Sequence, residues 1–145
     1  MSQAEKPTIV LVHGAWHDSS CWDATREELT KHSYPSVVVK LPSVGSNPPV
    51  ASHHEDTAAV RKELERVIVS EGKEVVLVMH SYGGIPGSEA VTGLEKAARK
   101  EKGGVIHALF IAAFLVPKGN SLMGMFDNQF PPYLHVNVCR TPPTP

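Results

Sequence analysis

The sequence predicts an α/β fold: a mostly parallel sheet of about four strands with helices on both faces. Two observations carry this. Short runs of consecutive apolar residues, Thr8–Val12 and Val75–Met79 foremost, read as strands buried on both sides, because a strand with one wet face would alternate with polar residues. Between such runs lie helix-length segments whose apolar residues recur at three- and four-residue spacing. Strands joined through helices run parallel, and their sheet is covered from both sides.

The bulk numbers bound what this fold can be. A chain of 145 residues holds one ordinary core, hence one domain. A content of 41% hydrophobic and 20% charged residues is that of a globular protein. A net charge of −1 gives no electrostatic reason to bind nucleic acid or an anionic membrane. The apolar runs fall well short of the roughly 20 residues that span a bilayer. The first eight residues lack a signal-peptide layout, so a cytoplasmic location is the expectation. Cys21 and Cys139 are too few and too far apart for a disulfide framework or a zinc site and read as free thiols.

The elements follow in order. Thr8–Val12 is the first strand and runs into His13-Gly14-Ala15-Trp16. Ser19 or Ser20 can cap a helix to about Lys31, with Trp22 and Leu29 on its buried side. Ser36–Lys40 is a short strand, and residues 41–52 form a loop of Pro, Ser, Gly and Asn. His53-His54-Glu55-Asp56 gathers metal-ligand residue types, but it lacks His-Glu-x-x-His spacing and no cysteine is near. Asp56 or Thr57 more simply caps a helix to about Ser70, with Ala59, Val60, Leu64, Val67 and Ile68 at helical spacing. No metal is expected. Val75–Met79 ends in His80-Ser81-Tyr82-Gly83-Gly84. A helix follows from Ile85 to about Lys100, with Pro86 in its first turn. Gly103-Gly104 breaks that helix, and Val105–Val116 is a long apolar strand. The last fifteen residues contain five prolines and predict no packed structure.

A serine on a sharp turn between a buried strand and a helix is the layout of a nucleophile elbow. The turn lifts the hydroxyl from the sheet's end, Gly83 and Gly84 permit close backbone approach, and the helix start offers free N–H groups. This stretch resembles the elbow of the α/β-hydrolase superfamily. The chain from about Pro7 to Met125 resembles its small-molecule esterase and hydroxynitrile-lyase-like branch. The family pattern is Gly-x-Ser-x-Gly, and here Met79 replaces the first glycine.

The resemblance implies a partial α/β-hydrolase fold with Ser81 as nucleophile. His13-Gly14 would open the oxyanion loop, and the backbone N–H groups of Ala15 and Tyr82 would hold the oxyanion. Trp16 and His17, on the same loop, become candidate substrate contacts. Residues 1–116 would be the N-terminal part of the hydrolase domain and 117–130 the start of a cap, with Leu122, Met123, Met125, Phe126 and Phe130 as candidate lining. Residues 131–145 form the Pro-rich tail. No cofactor is expected, since neither a Gly-x-Gly-x-x-Gly turn nor a phosphate-binding Gly-Lys-Ser/Thr is present. The expected partner is a small-molecule substrate or ligand.

The resemblance also implies two further strand–helix units after the cap, carrying the triad acid and histidine. The chain therefore reads as C-terminally truncated. Pro117-Lys118-Gly119 offers no carboxylate where some members keep the acid, and Asp127 lies too far along. His80 adjoins the serine, His107 lies within a strand, and His135 lies in the tail. His17 is the best in-chain candidate for the base. Three readings follow. One is a serine hydrolase that acts on an ester or similar small carbonyl substrate and needs residues outside this chain. The second is a hydroxynitrile-lyase-like enzyme, and the third a catalytically dead remnant or ligand-binding module. The Val105–Val116 strand would be a bare sheet edge through which chains could self-associate.

Overall fold

The computed structural model describes residues 5–129 and 132. The chain divides into a unit ending at Leu115 and a second beginning at Val116. In the first unit, β1 (Thr8–Val12), β2 (Ser36–Val39), β3 (Glu74–His80) and β4 (Gly104–Ile111) form one sheet in the order β2-β1-β3-β4. Every pair is parallel: Leu11 lies opposite Val38 on one side and Val78 on the other, and Met79 lies opposite Phe110. Helix α1 (Asp23–Lys31) joins β1 to β2, α2 (His54–Glu65) joins β2 to β3, and α3 (Gly84–Ala90) leads from β3 towards β4.

The period-2 pattern of the strands divides the core into two layers. Val10, Val12, Val75, Leu77 and Met79 pack with Val60 and Leu64 of α2, with Val67 and Ile68 just beyond it, and with Ala90 of α3. On the opposite face Ile9, Leu11 and Val78 pack with Trp22, and Leu29 and Tyr34 lie partly buried against them. Both faces of β1 and β3 are thus covered, as their continuous apolar runs require, whereas β4 beyond Ile106 is exposed.

Several element boundaries differ from expectation, each for a local reason. The cap before α1 is neither Ser19 nor Ser20: the Asp18 carboxylate accepts the Ser20 N–H at 2.8 Å and starts a short 3-10 turn, Ser19–Trp22. Asp56 and Thr57 do not cap α2. The Ser52 hydroxyl accepts the His54 N–H at 3.2 Å, and the Glu55 carboxylate reaches back to the Ala51 and Ser52 N–H groups. The Ser52 hydroxyl, then the backbone N–H of Glu55 itself, and last those of Ala51 and Ser52, hold the Glu55 carboxyl below its ordinary range. α2 ends in one π turn, Arg66–Ser70. α3 stops at Ala90 rather than near Lys100, because Gly93 turns the chain at φ +77° and Leu94 folds inward, its N–H donating to Val91 O at 2.7 Å. β4 stops at Ile111 rather than Val116, where Ala112 takes a φ of +42°.

β4 lies at the edge of the sheet. Among the described residues its outer side carries a single bridge, Glu95 to Val105, and Leu109, Phe110 and Ile111 are exposed. The second unit contains a short 3-10 turn, Gly124–Phe126, with Met125 and Phe126 exposed. Phe130, His135, Cys139 and all of the Pro-rich tail but Pro132 lie outside the described residues. Cys21 is a free, exposed thiol. No helix among the described residues is long and apolar enough to cross a membrane.

Met79 replaces a glycine of the expected elbow pattern without opening the turn. Its side chain is fully buried and lies over Gly87 of α3, where an added Cβ would fall 2.5 Å from the Met79 Sδ and 2.8 Å from its Cγ. The bulk moved into the strand is offset by bulk missing from the helix. Met79→Ala should therefore cost about 2–5 kcal/mol in urea unfolding. Adding Gly87→Ala should restore part of that loss by refilling the space and improving helix propensity by about 1 kcal/mol. Simple additivity of two destabilising changes would contradict this packing.

Candidate active site

The site begins where β3 meets α3. Ser81 takes a φ of +52°, left-handed backbone that a non-glycine residue adopts at a cost of about 1–3 kcal/mol. Contacts on both sides hold it there. The Phe114 N–H donates to the Ser81 carbonyl at 3.0 Å, tying the elbow to the chain just past β4. Gly84 brings the start of α3 against that same segment: a Cβ there would lie 2.2 Å from the Phe114 carbonyl oxygen.

The loop after β1 approaches from the other side. His13 is buried and accepts the Leu41 N–H on Nε2 at 3.3 Å, which leaves Nδ1 to donate to the Gly14 carbonyl at 2.9 Å. This imidazole ties the loop after β1 to the loop after β2. A Cβ on Gly14 would fall 3.0 Å from both the Ser81 Cβ and the His80 Nδ1. The loop can run this close to the elbow because residue 14 has no side chain. Among the described residues no acceptor takes the backbone N–H of Ala15 or Tyr82.

Ala15, Trp16, Ser43, Val44, Gly45 and Tyr82 line a pocket of about 260 Å³. Ser81 is half-buried next to Tyr82 and does not itself line the pocket. Trp16 stands at its rim, 82% exposed, on backbone with a φ of +60°. His17 is exposed; its Nδ1 meets the Ala15 carbonyl at 2.9 Å, and its ring stands edge-on to His80 with centroids 5.6 Å apart. Neither imidazole hydrogen-bonds the Ser81 hydroxyl. His107 is exposed on β4 opposite Val76.

Reading the sequence alone misses Asp56. Its side chain is fully buried, accepting the Tyr82 hydroxyl on Oδ2 at 2.7 Å and the Ser43 N–H on Oδ1 at 2.9 Å. One carboxylate thereby fixes two members of the pocket wall. Burial, and then the hydrogen bond and charge of Asp56, push the Tyr82 phenol well above its ordinary range. A signal was present in the sequence: Asp56, Val60 and Leu64 are spaced by four and form one buried stripe of α2. An acid on such a stripe faces the core and needs partners there.

At the start of α2, His53 Nε2 and His54 Nδ1 lie 3.3 and 3.9 Å from the Glu89 Oε2 of α3. All three residues are exposed.

Comparison with known proteins agrees with this architecture. A model of the alpha/beta hydrolase family matches residues 9–142. Alpha/beta hydrolase nvfD of Aspergillus novofumigatus is 39% identical over 127 residues, covering 87% of this chain and 50% of that protein. The carbendazim hydrolyzing esterase of Nocardioides is 30% identical over 126 residues, covering 86% of this chain and 49% of its own length. The chain thus spans about half the length of the curated relatives it matches. Among solved structures, an extracellular alpha/beta-hydrolase from Paenibacillus superposes with a TM-score of 0.64 at 22% identity, covering 81% of this chain and 45% of that one; at that identity the likeness concerns the fold. The family match over most of the chain, with the parallel sheet and the serine turn at the end of β3, places the protein in the alpha/beta hydrolase family.

Proposed function

We propose that the chain carries the nucleophile and oxyanion side of a serine hydrolase acting on a small ester or similar carbonyl substrate. The observation that carries this is the left-handed Ser81 between β3 and α3, beside a pocket lined by Ala15 and Tyr82. In this reading the Ser81 Oγ attacks the carbonyl carbon. The Ala15 and Tyr82 N–H groups donate to the oxygen as it gains charge, and Trp16 and Val44 flank the group beside the reacting bond. The esterase named among the relatives supports the ester class. Two aimed donors account for a large part of acyl-transfer catalysis, with one donor worth about 10²–10³ in rate.

Attack also requires a proton acceptor. His13 is committed on both nitrogens, to Leu41 and Gly14, and neither His17 nor His80 hydrogen-bonds the Ser81 hydroxyl; in this reading full turnover draws its base from outside the described residues. What remains is the residual reactivity of positioning and oxyanion stabilisation, about 10³–10⁴ over water in a hydrolase stripped of its triad. Tyr82 contributes through its backbone, and the Asp56 hydrogen bond holds that residue in place.

A fluorophosphonate probe should label this chain slowly, at one site, and Ser81→Ala should abolish the label. Gly14→Ala should slow it at least tenfold, because the new Cβ forces the loop away from Ser81. Labelling that survives Ser81→Ala would overturn the proposal. Tyr82→Phe leaves one oxygen of a buried carboxylate without its donor and should cost about 1.5–3 kcal/mol in urea unfolding. A phenol held above its ordinary pKa binds its proton more tightly in the folded state. Stability from that difference is complete below about pH 10 and declines as pH rises further. Wild type should therefore lose stability more steeply than Tyr82→Phe above pH 10; parallel curves would contradict the buried pairing.

A further inference from the structure

We propose that His53, His54 and Glu89 form a binding site for one borderline divalent transition-metal cation, Zn²⁺ in chemical class. Two imidazole nitrogens and a carboxylate oxygen converge from separate elements, the start of α2 and the end of α3, with all three ligand atoms within 4.8 Å of one another. Ligands about 2.0–2.1 Å from a tetrahedral Zn²⁺ stand about 3.3–3.4 Å apart. The His53 Nε2 to Glu89 Oε2 separation of 3.3 Å already has that length, and His54 Nδ1 is 3.9 Å from the same oxygen. Closing the remaining gaps takes small rotations of exposed rings, which lie against each other with centroids 4.2 Å apart.

The surroundings favour a ligand set over a plain ion pair. The Thr57 hydroxyl donates to Glu89 Oε2 at 2.7 Å, which orients the carboxylate as a supporting partner does at metal sites. The neighbouring carboxylate of Glu55 is taken by Ser52 and the Ala51 N–H, so it neither joins the set nor competes with it. Three protein ligands on an exposed surface leave a fourth position to water. Two imidazoles in three ligands select Zn²⁺, Ni²⁺ or Cu²⁺ over Mg²⁺ or Ca²⁺. A bound ion would clip α2 to α3, the helix that follows the Ser81 turn. The inference does not depend on Ser81 being a nucleophile.

Isothermal titration of the untagged chain, stripped with chelator and held near neutral pH, tests the site with Zn²⁺ and Mg²⁺ as probes. Zn²⁺ should saturate at one equivalent, and Mg²⁺ should bind at least tenfold more weakly. Glu89→Gln and His53→Ala should each weaken Zn²⁺ at least tenfold, whereas the exposed controls His32→Ala and Cys21→Ser should leave it unchanged. Zn²⁺ should raise the unfolding temperature of wild type more than that of either site variant. No saturable binding, or equal binding in the site variants and wild type, would overturn the proposal.

Discussion

The left-handed backbone of Ser81 is the constraint around which this structure is arranged. A residue with a Cβ does not rest at a φ of +52° unless its surroundings make the alternatives worse. Here β3 is paired in parallel with β1 up to Met79 and with β4 up to His80, and α3 starts at Gly84. Three residues must reverse the chain between them. The contacts of Gly84 with the Phe114 carbonyl and of Gly14 with the Ser81 Cβ mark how little room is left. The strain at the serine is held by β3, the start of α3 and the segments that carry Gly14 and Phe114.

The same crowding explains where polar groups are buried. The loops after β1 and β2 have no ladder to fix them, so buried side chains do it: His13 bridges Gly14 to Leu41, and Asp56 bridges Ser43 to Tyr82. Each has partners for the atoms it buries, which keeps the desolvation cost down and makes the connection specific. Removing Asp56 would release both the loop that carries Ser43 and the residue next to Ser81. This buried carboxylate fixes two residues of the pocket wall.

Much of this was legible in the sequence because it rests on short-range pattern. The continuous apolar runs of β1 and β3, the helical spacing of Val60, Leu64, Val67 and Ile68, and the strand–serine–glycine order around Ser81 are local signals. What was missed depends on contacts distant in the chain. α3 looked long because residues 91–100 contain helix formers, yet Gly93 and the inward turn of Leu94 end it early. The accommodation of Met79 needed Gly87, in the following helix, to be read as its partner. Asp56 looked like a cap because acids are common in first turns; only its alignment with the buried stripe distinguished it. Glu89 could not be joined to His53 and His54 before the fold brought α3 beside α2.

The claim that Ser81 is held against its own backbone preference can be measured without any substrate. Ser81→Ala and Ser81→Gly both remove the hydroxyl and differ only in the Cβ. At an ordinary helix or strand position the glycine variant is the weaker by about 0.5–1 kcal/mol. At a strained left-handed position the order reverses, because glycine occupies it freely. Chemical unfolding of the two variants should show Ser81→Gly the more stable by about 1 kcal/mol. Ser81→Ala equal to or more stable than Ser81→Gly would mean that the turn stores no strain and that the surrounding sheet does not hold the serine in an unfavourable conformation.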